Sequence, residues 1–535
     1  MSLLLLRVSL VGLIGPLAVV LLSMVLVLGV MGLMGWVLGT FFGIVPTLLC
    51  AVGVAQSVHI VLEYQRAYAV HGSSKQAVQD AIGKVGGVCL MAALTTAFGL
   101  LVMTVSHLKV LGEMAMYAAA GVMFTFVFSV TLLVVFLASG SKQTSADIKT
   151  SIDSASIPIK DKPINRLIQY CVAKCIALNL RYPKQLVGVG GAVIVVALMG
   201  VAMLRIDFNF LEEFKPHIEW RKHTELAEKV MGGMLSVSYI VDTGRADGVK
   251  EPDVLKAIDR LQQFAKQQPF VKNAYSIADI QKDINRSFHG DDMNWYVIPD
   301  DRELVAQYFL VYEVSGGEEL EDFVSTDFSR TVVELRVEIT DSSNVNALMQ
   351  SIEQYLVDNP IPSAEVRRTG MGLLWVTIAE YIADTQFFGY SLIFIGISFF
   401  LCVIFGSVKV GMLTMIPNIT PVLVVLGFMG WVDIPLDYVK LLLATIAIGI
   451  AVDDSMHLVT RFRRRFYETG SYEKALEKSL VDVGPALIIT TVILLAAFAC
   501  YLFSSMQVIA SFGMLLSLAI FVALIADLLL MPALL

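Results

Sequence analysis

The sequence predicts a polytopic α-helical membrane protein, with about ten spans in a pseudo-repeated helix bundle and one α+β domain outside the membrane. Hydrophobic residues make up 56% of the 535 residues, and the mean hydropathy is +0.72, which is typical of membrane proteins. Ten apolar runs are long enough to cross a bilayer as helices. One long polar stretch, residues 205–372, shows the short alternating pattern of strands mixed with helices.

The ten runs define the predicted organisation of the chain. They cover about Val11–Met34, Gly39–Leu62, Gly86–Ser106, Lys109–Ala138, Leu186–Leu204, Ile378–Phe405, Met412–Trp431, Val439–Thr460, Pro485–Tyr501 and Val508–Leu530. The predicted divisions are first-repeat spans at 1–138, a cytoplasmic linker with a juxtamembrane helix at 139–184, a single span at 185–204, the polar domain at 205–372, and a five-helix bundle at 373–535. Within the linker, Asn165–Arg181 has the pattern of an amphipathic helix on the membrane surface.

The polar domain is predicted to contain two small β-α-β units. Its strands are expected around Ser236–Val241 and Val332–Ile339, and its helices around Val254–Phe264 and Asn344–Leu356. Residues 206–372 hold 30 acidic and 17 basic residues, a charge of −13, so the rest carries +5 of the total −8. This distribution argues against a nucleic-acid partner. None of the six cysteines lies in this domain, so no disulfide is predicted within it.

Three basic segments predict the orientation of the chain. They are predicted to be polar loops and cover Glu63–Lys84, Ser139–Lys184 and Arg461–Lys478, the last containing Arg461, Arg463, Arg464 and Arg465. Counting spans places all three on one side of the membrane, which the positive-inside rule makes cytoplasmic. The acidic domain at 205–372 is then expected on the opposite, periplasmic side.

Two adjacent carboxylates interrupt the apolar run from Val439 to Val459 near its middle. A charged Asp at the centre of a spanning helix costs roughly 2.5–3.5 kcal/mol, and a neighbouring pair lowers that cost by holding a proton. Asp453 and Asp454 precede His457 by four and three residues, so both are expected to be its neighbours on a helix. The pattern favours a proton relay formed by Asp453, Asp454 and His457. The alternative is a polar pair that only holds helices together.

The chain contains an internal repeat at a shift of 398 residues. The shift pairs Ser57 with Ser455, His59 with His457, Gly72 with Gly470 and Gly86 with Gly484, and it brings the apolar runs into register. Such repeats are typical of transporters whose site lies between the two halves. The repeat is chemically asymmetric, because Asp453 and Asp454 correspond to Ala55 and Gln56.

Four polar residues are candidates for supporting roles: His59, Ser455, Thr490 and Thr491. His59 either makes a polar contact across the pseudo-symmetry axis or is a buried histidine with satisfied hydrogen bonds. Thr490 and Thr491 either hydrogen-bond the aspartates or donate back to the preceding helical turn. Asp527, late in the last span, is predicted to have a structural, cap-like role near the cytoplasmic surface. The sequence shows no phosphate-binding loop, catalytic nucleophile or metal-ligand cluster, so no cofactor, no metal and no enzyme activity are predicted.

The residues that carry a family resemblance are Gly449–His457, Arg461–Arg465, Gly484-Pro485, Thr490-Thr491, Val58-His59, Gly72 and Leu94–Gly99, with Met231–Gly233, Glu251–Leu255 and Thr369-Gly370 in the polar domain. With these residues the chain resembles the resistance–nodulation–division (RND) superfamily. The similarity is greatest to the prokaryotic predicted exporters near the mycobacterial-membrane-protein-large (MMPL) and hopanoid transporters. The resemblance implies that 205–372 is a porter-like domain. It also implies that the first span, the first porter domain and most of the second span of a full RND protein are missing, so the chain is expected to be a gene fragment or to need a partner.

The resemblance implies export of a hydrophobic or amphiphilic, lipid-like substrate driven by the proton-motive force. Intramembrane aspartates would carry the proton, and the multi-pass protein would lie in a bacterial inner membrane. Membrane lipid, the exported molecule, and either further copies of the chain or a partner chain supplying the missing half repeat are the expected partners. On its own the chain is not expected to support export. The alternative function is a non-transporting protein of lipid sensing, binding or assembly with a degenerate RND body.

Overall fold

The computed structural model describes residues 10–139 and 163–535, so the central part of the predicted linker lies outside the described residues. Two compact units are present. One comprises the described residues up to Ile206 together with Tyr381–Ser504 and Val508–Leu535, and the other comprises Asp207–Glu380 and Ser505–Gln507. The first unit contains the apolar helices, and the second contains the sheet.

The helices before the sheet-containing unit are α1 Leu10–Met34, α2 Ile44–His71, α3 Ser74–Val102, α4 Lys109–Val130, α5 Leu132–Ser139, α6 Pro163–Arg181 and α7 Pro183–Val201. The predicted polar loop Glu63–Lys84 is wrong, because α2 and α3 are separated only by Gly72 and Ser73. Helices tolerate polar residues once they leave the apolar layer, since their backbone hydrogen bonds are internal. Gly72 ends α2 in the left-handed conformation with φ 63°, which glycine adopts without steric cost.

The sheet-containing unit has helices α8 Glu219–Met231, α9 Pro252–Lys266, α10 Ile277–Phe288, α11 Arg302–Val314 and α12 Ser342–Asp358, and strands β1 Leu235–Asp242, β2 Val271–Ser276, β3 Arg330–Val337 and β4 Glu365–Thr369. The strand order is β2-β3-β1-β4, and every neighbouring pair is antiparallel. Along β1 the buried and half-buried side chains alternate, as expected when one face of a sheet covers a core.

The two predicted β-α-β units are interleaved in this sheet. β1 and β2 both run antiparallel to β3, so they are parallel to each other with β3 between them. In the same way β3 and β4 are parallel with β1 between them. The unit is therefore a pair of split β-α-β motifs. Strand content follows from the alternating sequence pattern, but the interleaving depends on long-range pairing that no local pattern records.

The chain continues with α13 Met371–Asp384, α14 Tyr390–Phe405, α15 Val408–Trp431, α16 Leu441–Thr469, α17 Tyr472–Ala499, α18 Gln507–Ile525 and α19 Met531–Leu534. Two π-helical turns, Thr385–Gly389 and Ala526–Leu530, join α13 to α14 and α18 to α19. Within the described residues, ten helical segments are long and apolar enough to cross a membrane. The predicted polytopic helical fold is confirmed.

The internal repeat is visible in the helix boundaries. Shifted by 398 residues, α1, α2, α3 and α4 coincide to within one residue at their starts with α15, α16, α17 and α18. Gly72 and Gly470 end corresponding helices with the same φ of 63°. The apolar windows of α2 and α16 are the most buried, at 83% and 94%. These two corresponding helices therefore occupy the interior of the bundle.

Candidate functional site

Asp453, Asp454 and His457 lie in the most deeply buried helix, α16. Their relative exposures are 9%, 5% and 8%. His457 Nε2 is 3.5 Å from Asp453 Oδ1, the i, i+4 contact that the sequence predicts. Neither of these two atoms makes a hydrogen bond to the rest of the described structure. The predicted contact between Asp454 and His457 is not found among the described ion pairs.

His59 on α2 stacks on His457 on α16. The ring centroids are 3.9 Å apart and the planes differ by only 6°. His59 is itself buried, and its Nε2 lacks a hydrogen-bond partner in the described residues. The two rings occupy corresponding positions of the repeat, so the contact crosses the pseudo-symmetry axis. The structure thus brings His59 and His457 together, and a functional role for His59 stays a prediction.

A second polar group lies on another side of α16. Ser455 Oγ is 2.5 Å from Asp527 Oδ1 and 2.8 Å from Asn418 Oδ1. Asp527 is only 1% exposed, and its contact with Ser455 places it at the level of the aspartate pair on α16, not towards the end of the bundle as the sequence predicts. The π-helical turn at Ala526–Leu530 carries Asp527, and a turn of that kind changes the direction of a side chain in a way that helical spacing does not predict.

The two threonines predicted to support the site, Thr490 and Thr491, make no hydrogen bond to the aspartates among the described contacts. Thr490 Oγ1 donates back to the carbonyls of Ala486 and Leu487, at 3.0 and 2.9 Å, which is the back-bonding alternative. Thr491 Oγ1 is buried without a partner among the described residues. A residue that sequence reasoning did not select, Thr96 on α3, is 3.4 Å from the carbonyl oxygen of Gly449. Thr96 lies within Leu94–Gly99, one of the segments that carry the family resemblance, and this was the signal in the sequence that could have identified it.

Two small cavities adjoin the cluster. One, of about 10 Å³, is lined by Gln56, Thr96, Asp453 and Asp454 among other residues, and it has room for about one water molecule. The other, of about 90 Å³, is lined by His59 and His457 and by charged residues of the helix ends. The smaller cavity therefore touches the carboxylate pair directly. The larger cavity reaches the pair through His457, which contacts Asp453.

An ionic cluster borders the larger cavity one helical turn beyond the histidines. Glu63 Oε2 is 2.9 Å from Arg461 Nη2, and Glu63 Oε1 is 3.3 Å from Lys84 Nζ. Arg461 also lies 3.7 Å from Asp482. The 398-residue shift pairs Glu63 with Arg461 and Lys84 with Asp482, so the charges are inverted between the repeats and attract across the axis. The contacts also place the basic segments 63–84 and 461–478 at the same end of the bundle.

Among the described residues, no group of three or more His, Cys, Asp or Glu side chains is arranged to hold a metal ion.

A repeated helix bundle with an aspartate–histidine cluster between its central helices, together with one split β-α-β unit, defines an RND-type membrane protein. Comparisons with known proteins agree. The MMPL family matches residues 1–155 and 223–535, and the chain belongs to that family.

Two individual proteins illustrate the relationship. A Methanocaldococcus jannaschii protein named as a membrane protein, MJ1562, is 24% identical over 288 residues, which are 54% of this chain and 71% of the relative. The hedgehog release protein Disp of the water bear Hypsibius dujardini, solved by cryo-electron microscopy, shares the fold with a TM-score of 0.67 and 12% identity. That similarity covers 100% of this chain and 68% of the other.

Proposed function

We propose that this RND-type protein uses the proton-motive force to export a hydrophobic or amphiphilic, lipid-like molecule. The observation that carries the proposal is the buried carboxylate pair, Asp453 and Asp454, which has no lysine or arginine partner among the described ion pairs. An ionised carboxylate in the membrane interior is costly without a partner. Such residues in spanning helices belong to ion and proton pathways, and a structural role alone does not require them.

The surroundings of the pair support proton transfer. Asp453 contacts His457, which faces the larger cavity, and a one-water cavity touches both aspartates. A proton leaving Asp453 towards the charged end of the bundle, which the positive-inside rule makes cytoplasmic, would pass the histidine pair. Imidazole can accept a proton at one nitrogen and release one from the other, so His457 would act as a relay rather than as a final acceptor.

The same contacts support coupling of proton binding to movement. The histidine stack and the Glu63–Arg461 ion pair both join the first repeat to the second. A change of charge at Asp453 or His457 therefore alters the interface between the repeats, where transporters of this construction rearrange. We further propose that the protein lies in a bacterial inner membrane and that the sheet-containing unit, on its periplasmic side, guides the exported molecule.

The experiment uses the protein purified in the assembly it forms and reconstituted in phosphatidylethanolamine–phosphatidylglycerol vesicles that contain a trace of fluorescent phospholipid. An imposed pH gradient should accelerate transfer of the probe between leaflets, and the gradient should decay faster than in protein-free vesicles. Both effects should disappear in the Asp453→Asn, Asp454→Asn double variant. Equal decay and equal transfer with and without protein would refute the proposal.

A further inference from the structure

The unit that contains the apolar helices has a further buried carboxylate, Asp527, that the proton route described above does not use. The 398-residue shift pairs Asp527 with Ser129, which is also fully buried. Asp453, Asp454 and Asp527 thus have counterparts that cannot carry a proton at physiological pH: Ala55, Gln56 and Ser129. The asymmetry between the repeats includes Asp527 as well as the aspartate pair.

The hydrogen bonds around Ser455 require one more hydrogen than an ionised Asp527 allows. Asn418 Nδ2 donates to the carbonyl of Thr414 at 3.0 Å, so Asn418 Oδ1 faces Ser455 as an acceptor. Ser455 Oγ is therefore close to two acceptor oxygens, at 2.8 Å from Asn418 and 2.5 Å from Asp527. A hydroxyl has a single proton to donate. With Asp527 ionised, one of these two short contacts would contain no hydrogen.

A proton on Asp527 completes the chain of donors. Asp527 Oδ1 then donates to Ser455, Ser455 donates to Asn418, and Asn418 donates to Thr414. The remaining oxygen, Asp527 Oδ2, is buried and has no hydrogen-bond partner in the described structure. An unpaired oxygen is far less costly on a neutral carboxyl group than on a carboxylate.

Among the described residues, the groups that contact this position from neighbouring helices are neutral. From α16 the contacting group is the hydroxyl of Ser455. From α15 the contacting group is the neutral Asn418, and from α6 Asn179 Nδ2 donates to the carbonyl of Leu528 at 2.8 Å. From α7, Gly190 lies against the side chain of Leu530. Among the described residues, no ion pair compensates Asp527.

We infer that Asp527 is a proton-binding residue whose proton is held by the hydrogen bonds through Ser455 to Asn418. The inference rests on the proposed function and specifies its chemistry. Asp453 contacts His457, whereas Asp527 contacts Ser455 and, through it, Asn418 of α15. Release of the proton from Asp527 would turn the Ser455 hydroxyl towards Asp527 and leave Asn418 Oδ1 without a donor.

That rearrangement would act on a weak point of α15. Asn418 lies between Pro417 and Pro421 inside the helix, and each proline removes a backbone hydrogen bond. α15 also packs closely on α7, where the carbonyl oxygen of Gly427 meets Gly200. The charge of Asp527 is thus connected by hydrogen bonds to a helix that can bend, whereas the charge of Asp453 is connected to the interface between repeats.

The test measures proton occupancy directly and needs no transport. The full chain in lipid is studied by infrared spectroscopy at neutral pH, where a protonated carboxyl group has a carbonyl stretch distinct from that of a carboxylate. The wild-type protein should show this signal, and Asp527→Asn should remove part of it. Asp433→Asn is the matched control, because Asp433 is 71% exposed and paired with Arg205, so it should leave the signal unchanged.

A second variant keeps the inference testable if Asp527→Asn does not assemble. Ser455→Ala leaves Asp527 in place but removes its acceptor, so the carbonyl stretch should move to higher wavenumber. An unchanged protonated-carboxyl signal in Asp527→Asn, an unshifted signal in Ser455→Ala, or loss of the wild-type signal on addition of sodium chloride would each overturn the inference. Absence of proton-coupled transport with an intact Asp527 signal would refute the proposed function alone.

Discussion

At the scale of residues, substitution of aspartate by asparagine distinguishes a proton-carrying role of Asp453 and Asp454 from a purely structural role. Asn resembles Asp in size and still forms hydrogen bonds, but it does not titrate near physiological pH. Asp453→Asn and Asp454→Asn, singly and together, should reduce proton-coupled transport to background while the protein still folds. Thermal stability should stay equal or rise slightly, because a costly ionisable group has been neutralised.

The matched control for this prediction is Gln56→Asn. Gln56 is the counterpart of Asp454 in the first repeat, lines the same small cavity and is 1% exposed. The control should retain transport, since no titratable group is lost. Normal transport in the Asp453→Asn, Asp454→Asn double variant would leave the lipid-sensing alternative as the better account.

The histidine stack gives a second prediction at this scale. Two positive charges about 4 Å apart repel by about 4 kcal/mol at an effective dielectric constant of 20. At most one of the two stacked imidazole rings is therefore expected to be positively charged. His59→Phe preserves the stacked ring and leaves His457 as the relay, so transport should persist. His457→Phe removes the relay beside Asp453 and should abolish transport. Equal transport by the two variants in the vesicle assay would contradict this assignment of roles.

At the scale of elements, the ionic cluster should stabilise the contact between α2 and α16. Removing one partner of a buried ion pair costs about 3–5 kcal/mol, because the other charge remains buried. Glu63→Gln and Arg461→Gln should each lower the unfolding temperature, and the double variant should lose less than the sum, with a coupling energy of about 1–3 kcal/mol. The exposed pair Arg464–Glu468, at 56% and 43%, is the control and should couple by less than about 1 kcal/mol.

The sheet-containing unit has a comparable contact between α9 and α10. Lys282 Nζ is 2.7 Å from Asp259 and 3.1 Å from Asp279, and the lysine side chain is 6% exposed. Burial alone would lower the pKa of Lys282, but the hydrogen bond that Lys282 donates to Asp259 and the charge of Asp279 outweigh it, so the pKa is raised. Lys282→Met should therefore lower the unfolding temperature at neutral pH.

The pH dependence follows from the sign of that shift. A raised lysine pKa stabilises the folded state fully below the ordinary value of about 10.4, and the stabilisation is lost as the pH rises through the folded value. The difference between wild type and Lys282→Met should be constant from about pH 7 to about pH 9 and shrink only at higher pH. Lys256→Met, whose partner Asp300 is 94% exposed, should have little effect.

The helices and their polar interruptions could be predicted from sequence because apolar runs and i, i+4 spacing are local properties. The Asp453–His457 contact follows from that spacing, and the His59–His457 contact follows from the repeat. Asp527 could not be placed, since a π-helical turn changes its direction, and Asn418 carried no signal because it lies on a different helix from Ser455. The helical extensions through Glu63–His71 and Arg461–Thr469 were missed because polarity marks the edge of the apolar layer and not the end of a helix.

At the scale of the whole molecule, the charge distribution makes a prediction about orientation. Residues 206–372 carry −13 and the rest of the chain +5, and the structure places two of the basic segments at one end of the bundle through the Glu63–Arg461 contact. The positive-inside rule makes that end cytoplasmic. A cysteine at Thr326, an exposed position of the sheet-containing unit, should then react with a membrane-impermeant maleimide in cells with intact inner membranes.

The matched reporter is a cysteine at Tyr467, which is 79% exposed near the end of α16. It should react only after lysis, because Tyr467 follows the arginine-rich segment on the cytoplasmic side. Both variants are made in a protein whose six natural cysteines are replaced by serine, since Cys171 and Cys500 are exposed. If the Tyr467 position reacts in intact cells and the Thr326 position only after lysis, the orientation is inverted. The larger cavity and its ionic cluster would then open to the outside, and the proposed proton route would have to run in the opposite direction.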